Sequence, residues 1–163
     1  MRIAGIIEDD LVDCDDGYCV SLWVSGCPHR CKGCHNAKYW EYESGEAIDI
    51  ETLSKIIAEK ISKNGILRHF SILGGEPLAD YNIEGVLEVI RKIRAVFSDK
   101  IKIYLWTGYC LEDIKDKPFV KDILKDIDVL IDGPYIEELR DTTLLLRGSS
   151  NQRVLYRKNN FEG

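Results

Sequence analysis

The chain has 163 residues, with 22 Lys and Arg against 28 Asp and Glu, and its formal net charge at pH 7 is −6. This length predicts a single domain, residues 1–163, whose core is large enough to be stable without disulfides. The acidic balance argues against a nucleic-acid partner, because phosphate binding requires a basic surface. No apolar run approaches the roughly 20 residues that span a bilayer, so no membrane segment is expected.

The first ten residues are too acidic for a signal peptide, so the expected location is the cytoplasm. In that reducing compartment, clustered cysteines hold metal more often than they form disulfides.

Apolar periodicity predicts strands that alternate with helices. The helices are expected at 50–62, at 82–97 with Asn82 as N-cap, and at 111–126 with an interruption at Pro118. The strands are expected at 19–25, 69–73, 101–106 and 127–131, with weaker candidates at 143–147 and 152–157. The acidic run from Asp9 to Asp16 does not match a calcium-binding loop and is interpreted as a solvated segment.

Alternating strands and helices predict right-handed βαβ units and a parallel sheet. A complete (βα)8 barrel needs about 250 residues, whereas this chain supplies five or six strands. The expected α/β fold is therefore either an open, doubly wound sheet or a partial (βα) barrel of mainly parallel strands, laterally open. In both folds ligands bind at the C-terminal ends of the strands. A cysteine-rich loop and the turns at 74–76, 107–108 and 132–133 follow four of the predicted strands.

The segment SGCPHRCKGCHN, residues 25–36, holds Cys27, Cys31 and Cys34 in a C-x3-C-x2-C spacing. Iron–sulfur clusters are usually held by four thiolates. Three thiolates on one loop can hold three corners of a [4Fe–4S] cube and leave one iron for a small molecule.

Zinc is the alternative metal, with His29 or His35 as the fourth ligand of a non-enzymatic zinc-binding interaction module. The remaining cysteines, Cys14, Cys19 and Cys110, are not spaced as a second pair of zinc ligands.

Five motifs occur in order between about residue 20 and residue 155: VSGCPHRCKGCHN, LGGEPL, LWTGY, VLIDGPY and LLLRGSSNQRV. Together they resemble the radical S-adenosylmethionine superfamily and, within it, the activating enzymes of anaerobic ribonucleoside-triphosphate reductases. The resemblance implies that Cys27, Cys31 and Cys34 ligate a [4Fe–4S] cluster and that S-adenosylmethionine binds the open iron. An electron from a flavodoxin-like donor would cleave this cofactor to a 5′-deoxyadenosyl radical, which would abstract hydrogen from a glycine of the large reductase subunit.

The resemblance also implies contacts to S-adenosylmethionine. Gly33, Cys34 and His35 match one contact segment, with His35 against the adenine. Gly74 and Gly75 would let the backbone approach the methionyl amine closely.

Other expected contacts have structural alternatives. Glu76 either strengthens the attraction to the amine or is an acid at a helix entry. Thr107 lies in a strand-end group that either contacts the cofactor or belongs to the core. Asp132 either binds the ribose or starts a turn with Gly133 and Pro134. Arg147 either pairs with the methionyl carboxylate or joins a basic tail.

Residues 12–19, VDCDDGYC, lack the proline and arginine of the Val-Asp-Gly-Pro-Gly-x-Arg stretch in many glycyl-radical activators. Contacts are therefore not transferred to this segment. The alternative enzyme is a small radical S-adenosylmethionine enzyme that acts on a metabolite. A laterally open barrel, however, suits a protein substrate.

Overall fold

The computed structural model describes residues 1–162 and contains one sheet with helices packed against it. The strands are β1 (Arg2–Asp10), β2 (Cys19–Val24), β3 (Glu46–Ala47), β4 (His69–Gly74), β5 (Ile103–Trp106), β6 (Val129–Asp132) and β7 (Arg153–Tyr156). The α-helices are α1 (Ile50–Ile61), α2 (Ile83–Phe97), α3 (Leu111–Ile114) and α4 (Val120–Asp126). The seven strands lie in the order β3-β1-β2-β4-β5-β6-β7.

The middle of the sheet is parallel and its two sides are antiparallel. Strands β2, β4, β5 and β6 pair in parallel, whereas β1 pairs antiparallel with β2 and β3, and β7 pairs antiparallel with β6. A parallel connection usually needs a crossover helix, and neither the β1–β2 nor the β6–β7 connection contains an α-helix. The expectation of mainly parallel strands is therefore right for the centre and wrong for the edges, and residues 1–162 form seven strands instead of five or six.

All the α-helices contribute to one apolar cluster on one face of the sheet. The inward positions of β2, for example Val20 and Leu22, pack there with Leu53 of α1 and Ile90 of α2, and all four are fully buried. The opposite face carries a smaller cluster around Tyr104 with no α-helix in it. The doubly wound alternative, which needs helices on both faces, is therefore wrong.

The predicted helices form with boundaries close to those expected. The N-terminus of α1 is capped by Asp49, whose Oδ1 accepts a hydrogen bond from the Thr52 amide at 2.9 Å. Asn82 does occupy the N-cap position of α2, but its side chain makes no cap bond. The side-chain nitrogen Nδ2 of Asn82 donates instead to the Ser25 and Glu76 carbonyls, at 2.9 and 3.1 Å.

No helix within residues 1–162 is both long and apolar enough to cross a membrane.

The weak strand expected at 143–147 does not form. Leu146 has a φ of +63°, which is incompatible with an extended strand, and its carbonyl accepts a hydrogen bond from the Trp106 indole at 2.8 Å. The apolar run therefore reflects one buried leucine, since the neighbouring Leu145 is largely exposed.

The acidic segment between β1 and β2 is not simply solvated, contrary to the sequence interpretation. Cys14 is buried, and Asp15 accepts hydrogen bonds from the Tyr104 hydroxyl and from Lys102 Nζ, the latter at 3.0 Å. The Ser71 hydroxyl donates to the Asp13 carbonyl. This segment covers the face of the sheet opposite the helices, near the N-terminal ends of β4 and β5.

Candidate metal centre

Four loops meet at the edge of the sheet where the parallel strands end. Hydrogen bonds between backbones connect them: the Glu76 amide donates to the Gly26 carbonyl at 2.8 Å, and the Gly133 amide donates to the Tyr109 carbonyl at 2.9 Å. The structure thus brings together the cysteine loop and the three turns, as the sequence predicted.

The three cysteines lie on the loop that follows β2, and each is partly buried. The loop begins with two fixed amides, because Gly26 and Cys27 donate to the carbonyls of Tyr39 and Trp40, at 2.9 and 2.8 Å. Farther along, the Cys34 amide donates to the Cys31 carbonyl at 3.1 Å. These bonds define a compact loop.

Burial raises the pKa of two of the loop thiols, Cys27 and Cys31. The pKa of Cys27 is raised to about 11, mainly by burial and further by the nearby negative charges of Glu76 and Cys31. Burial also raises the pKa of Cys31, and the neighbouring Cys34 adds to this effect. The Cys27 thiol is therefore protonated at neutral pH, and a metal that binds its sulfur must displace that proton.

The donor set fits an iron–sulfur cluster better than a single ion. Within residues 1–162, no three His, Cys, Asp or Glu side chains converge closely enough to hold one metal ion. A zinc site needs that convergence, because all its ligands lie about 2.0–2.3 Å from one ion. In a [4Fe–4S] cube each thiolate binds a different iron, so its three thiol ligands need not converge on one ion.

The other three cysteines lie apart from this loop. Cys19 begins β2, and Cys14 packs beside it in the cluster around Tyr104. Cys27 follows the opposite end of β2, which at roughly 3.3 Å per residue is more than about 16 Å away from Cys19. Cys110 occupies the N-cap position of α3, where burial and the charge of Asp132 raise its pKa.

Gly74 and Gly75 are required by close contacts within the protein. Gly74 has a φ of +108°, and a Cβ atom there would lie 2.7 Å from the Val24 carbonyl oxygen. A Cβ atom on Gly75 would collide with the Gly26 carbonyl oxygen. These two glycines therefore allow β4 to approach the start of the cysteine loop.

Glu76 lies at the centre of the converging loops, with its side chain 1% exposed. Its Oε1 accepts from the Leu78 amide at 2.9 Å and from the Thr107 hydroxyl at 2.8 Å. Its Oε2 accepts from the Gly108 amide at 2.7 Å and contacts His29 Nε2 at 2.8 Å. The carboxylate therefore has protein partners on both oxygens.

Thr107 and Asp132 also take part in internal hydrogen bonds. Thr107 is buried, and its hydroxyl accepts from the Tyr109 amide at 3.2 Å while donating to Glu76. Asp132 is fully buried; it accepts from the Leu111 amide at 2.8 Å and from Arg153 Nε at 2.9 Å.

The remaining expected contact residues lie nearer the surface. His35 is exposed and presents its ring edge-on to Trp23, with the centroids 6.3 Å apart. Gly33 is exposed, with a φ of +77° and the Glu137 side chain beside its Cα. Arg147 donates from Nη1 to the Gln152 carbonyl at 3.2 Å, so it is attached to its own loop.

Two connections were not found by sequence reasoning. His29 was considered only as a zinc ligand, but it joins the cysteine loop to Glu76. Arg153 is not among the site residues that the sequence predicts, but it pairs with buried Asp132. In each case the partners are far apart in sequence, so only a correct strand order could have predicted them.

The fold and the three-thiol loop define an α/β protein with one candidate iron–sulfur site in residues 1–162. The sequence matches the family described as "4Fe-4S single cluster domain" over residues 15–155. It is 40% identical over 134 residues to the anaerobic ribonucleoside-triphosphate reductase-activating protein of Vibrio cholerae serotype O1, covering 82% of this chain and 84% of that protein. The protein of that name from Salmonella typhi is 37% identical over 158 residues (94% and 97% covered), and that from Enterobacteria phage T4 is 39% identical over 150 residues (90% and 91%). The chain belongs to the family of anaerobic ribonucleoside-triphosphate reductase-activating proteins.

Proposed function

We propose that this protein is a radical S-adenosylmethionine enzyme that generates a glycyl radical on the large subunit of an anaerobic ribonucleoside-triphosphate reductase. The observation that carries the proposal is the loop of Cys27, Cys31 and Cys34, which offers three thiols at the C-terminal edge of the parallel strands. A cluster held by these thiols has one iron without a ligand from the chain.

The chain's own residues would bind and orient the reactants. When bound, the cluster and S-adenosylmethionine supply the electron transfer and the 5′-deoxyadenosyl radical that acid–base side chains cannot provide. Cys27, Cys31 and Cys34 would hold the cluster. Backbone hydrogen bonds of Gly26, Cys27 and Cys34 would help to position these thiols.

The proposed contact set for S-adenosylmethionine comprises Gly33, Cys34, His35, Gly74, Gly75, Glu76, Thr107 and Asp132. The loops that carry these residues all lie at one edge of the sheet. The carboxylates of Glu76 and Asp132 already accept hydrogen bonds from the protein, so we assign them to shaping the site as well as contacting the cofactor.

The proposed scaffold is a partial barrel. Two observations support this scaffold. The α-helices cover one face of the sheet, and its two edge strands, β3 and β7, do not pair with each other. A sheet that does not close leaves lateral access for a glycine-bearing loop of the reductase. The proposed electron donor is flavodoxin-like.

The test is anaerobic reconstitution with iron and sulfide, followed by dithionite and S-adenosylmethionine. We expect 5′-deoxyadenosine from the wild-type protein, none from Cys31→Ser, and normal amounts from the matched control Cys110→Ser. One equivalent of zinc without iron or sulfide in anaerobically purified protein would contradict the proposal and support the zinc-binding module.

The partner requires a separate measurement. After co-incubation with the large reductase subunit, we expect a glycyl-radical signal by electron paramagnetic resonance. Cleavage of the cofactor without that signal would favour the alternative enzyme acting on a metabolite.

A further inference from the structure

Glu76 receives hydrogen bonds from two different strand ends. The Leu78 amide belongs to its own turn after β4, whereas the Thr107 hydroxyl and Gly108 amide come from the turn after β5. A buried carboxylate bound in this way has little freedom to move, so it provides a fixed point at the edge of the sheet.

His29 brings the cysteine loop to that fixed point. It lies between Cys27 and Cys31, its side chain is 18% exposed, and its Nε2 is 2.8 Å from Glu76 Oε2. A carboxylate only accepts hydrogen bonds, so His29 donates from Nε2. The His29 ring also packs edge-on against Tyr109, with the centroids 4.4 Å apart.

The turn after β5 leaves no spare room around the imidazole. A Cβ atom on Gly108 would lie 2.6 Å from His29 Cδ2. The ring is therefore confined between Glu76, Gly108 and Tyr109, all of which lie outside the cysteine loop.

The other side-chain ion pairs of this loop are exposed. Arg30 pairs with Glu41, and Lys32 pairs with Glu138 at 3.1 Å, but these four side chains are 54–82% exposed. Exposed pairs contribute little to stability. Among the described residues between Cys27 and Cys31, His29 thus makes the side-chain ion-pair contact that is least exposed to solvent.

We propose that His29 is a positioning residue that, through Glu76, fixes the segment carrying Cys31 and Cys34 against the ends of β4 and β5. This inference rests on the proposed function, because the purpose of such positioning is to hold the cluster thiols in register with the contacts for S-adenosylmethionine. His29 acts through Glu76 and is not itself assigned to the chemistry.

The first test uses metal-free protein, so that it does not depend on activity. Hydrogen–deuterium exchange of residues 26–36 and 74–78 is compared among His29→Leu, His29→Gln, Gly108→Ala and wild type. A charge-assisted hydrogen bond is worth enough that its loss should speed exchange about tenfold or more in His29→Leu. Gly108→Ala should have a similar effect by displacing the ring, whereas His29→Gln, which keeps a donor, should exchange like the wild type.

Lys32→Ala is the matched control, since it removes an exposed side chain from the same loop. Wild-type exchange in His29→Leu, or exchange in His29→Gln as fast as in His29→Leu, would overturn the proposal. Gly108→Ala leaves His29 intact and therefore keeps the test available if His29→Leu does not fold.

The second test uses the reconstituted protein. We expect His29→Leu to raise the KM for S-adenosylmethionine about tenfold with a smaller change in kcat. We expect the KM of His29→Gln to be close to that of the wild type. If wild type and variants all lack cleavage activity while the exchange differences persist, the proposed function fails and the positioning role does not. If wild type is active and the His29→Leu KM is unchanged, the positioning role fails alone.

Discussion

Arg153 at the start of β7 donates to both carboxylate oxygens of Asp132, the residue that ends β6. Asp132 is fully buried, and the same guanidinium also contacts Glu112 just inside α3. This pair therefore holds the last strand and α3 against the functional edge of the sheet.

Removing the arginine should destabilise the fold, because it leaves a buried carboxylate with fewer partners. Arg153 is 40% exposed, so solvent reduces the cost, and we expect Arg153→Ala to lower the free energy of unfolding by about 1–3 kcal/mol. Urea unfolding of the metal-free protein measures this. The control Arg91→Ala breaks an exposed pair with Asp122 and should change stability by less than about 0.5 kcal/mol; equal losses in both variants would contradict the role of the buried pair.

The acidic segment should make stability depend on pH. Burial, together with Asp10, raises the pKa of Asp13 to about 7. Burial also acts to raise the pKa of Asp10, but hydrogen bonds from Asp13, Val12 and Ser21 outweigh it and lower that pKa. The folded protein thus retains a proton on Asp13 that the unfolded chain has lost above about pH 4.

Because the folded state binds more protons in this window, the Asp13 contribution to stability is present below about pH 4 and is lost as pH rises to about 7. Asp13→Asn should reduce this slope and be more stable than the wild type at pH 7.5 by roughly 1 kcal/mol or more. Urea unfolding at several pH values tests it, with exposed Asp116→Asn as control. If the stability of Asp13→Asn depends on pH as steeply as that of the wild type, the Asp13 carboxyl is not the source of the pH dependence.

A methyl group on Gly75 should disturb the cysteine loop. The new Cβ would collide with the Gly26 backbone, which cannot rotate away, so we expect Gly75→Ala to cost about 1–3 kcal/mol and to reduce the iron bound on reconstitution. Gly5→Ala is the matched control, since a Cβ atom there meets nothing within 4 Å. Full iron content in Gly75→Ala would show that β4 and the loop tolerate separation.

One substitution should stabilise the protein. Ser54 is buried in α1, and its hydroxyl has no hydrogen-bond partner among the described residues. Ser54→Ala removes an unsatisfied group and improves helix propensity, so we expect a gain of about 0.5–1.5 kcal/mol in thermal or urea unfolding. The exposed Ser62 donates to the Ala58 carbonyl at 3.1 Å, and Ser62→Ala should show no such gain.

The central strands were predictable because they are buried on both faces and read as apolar runs between turns. Strand β1 was not, since Gly5 and the acidic Glu8, Asp9 and Asp10 obscure its alternation. β1 pairs with β2 because a short connection joins the two strands. Since the sequence did not predict β1, it could not predict this pairing. The strand predicted at 143–147 does not form, because an apolar run alone does not provide a neighbouring strand with which to pair.

The candidate site was predictable in outline because chemistry is concentrated at strand ends. The sequence predicted that the loop of Cys27, Cys31 and Cys34 and the glycines after β4 lie at one edge of the sheet, and the structure places them together there. The internal partners of Glu76 and Asp132 were not predictable, because residue type alone does not indicate whether a carboxylate faces a ligand or a neighbouring loop.

The proposed function depends on one cluster iron that has no ligand from the chain. Mössbauer spectroscopy of protein reconstituted with 57Fe, recorded with and without S-adenosylmethionine, tests this directly. We predict that one iron in four changes its isomer shift when the cofactor is added. Four irons that remain unaffected, or a spectrum without a four-iron cluster, would contradict the central claim.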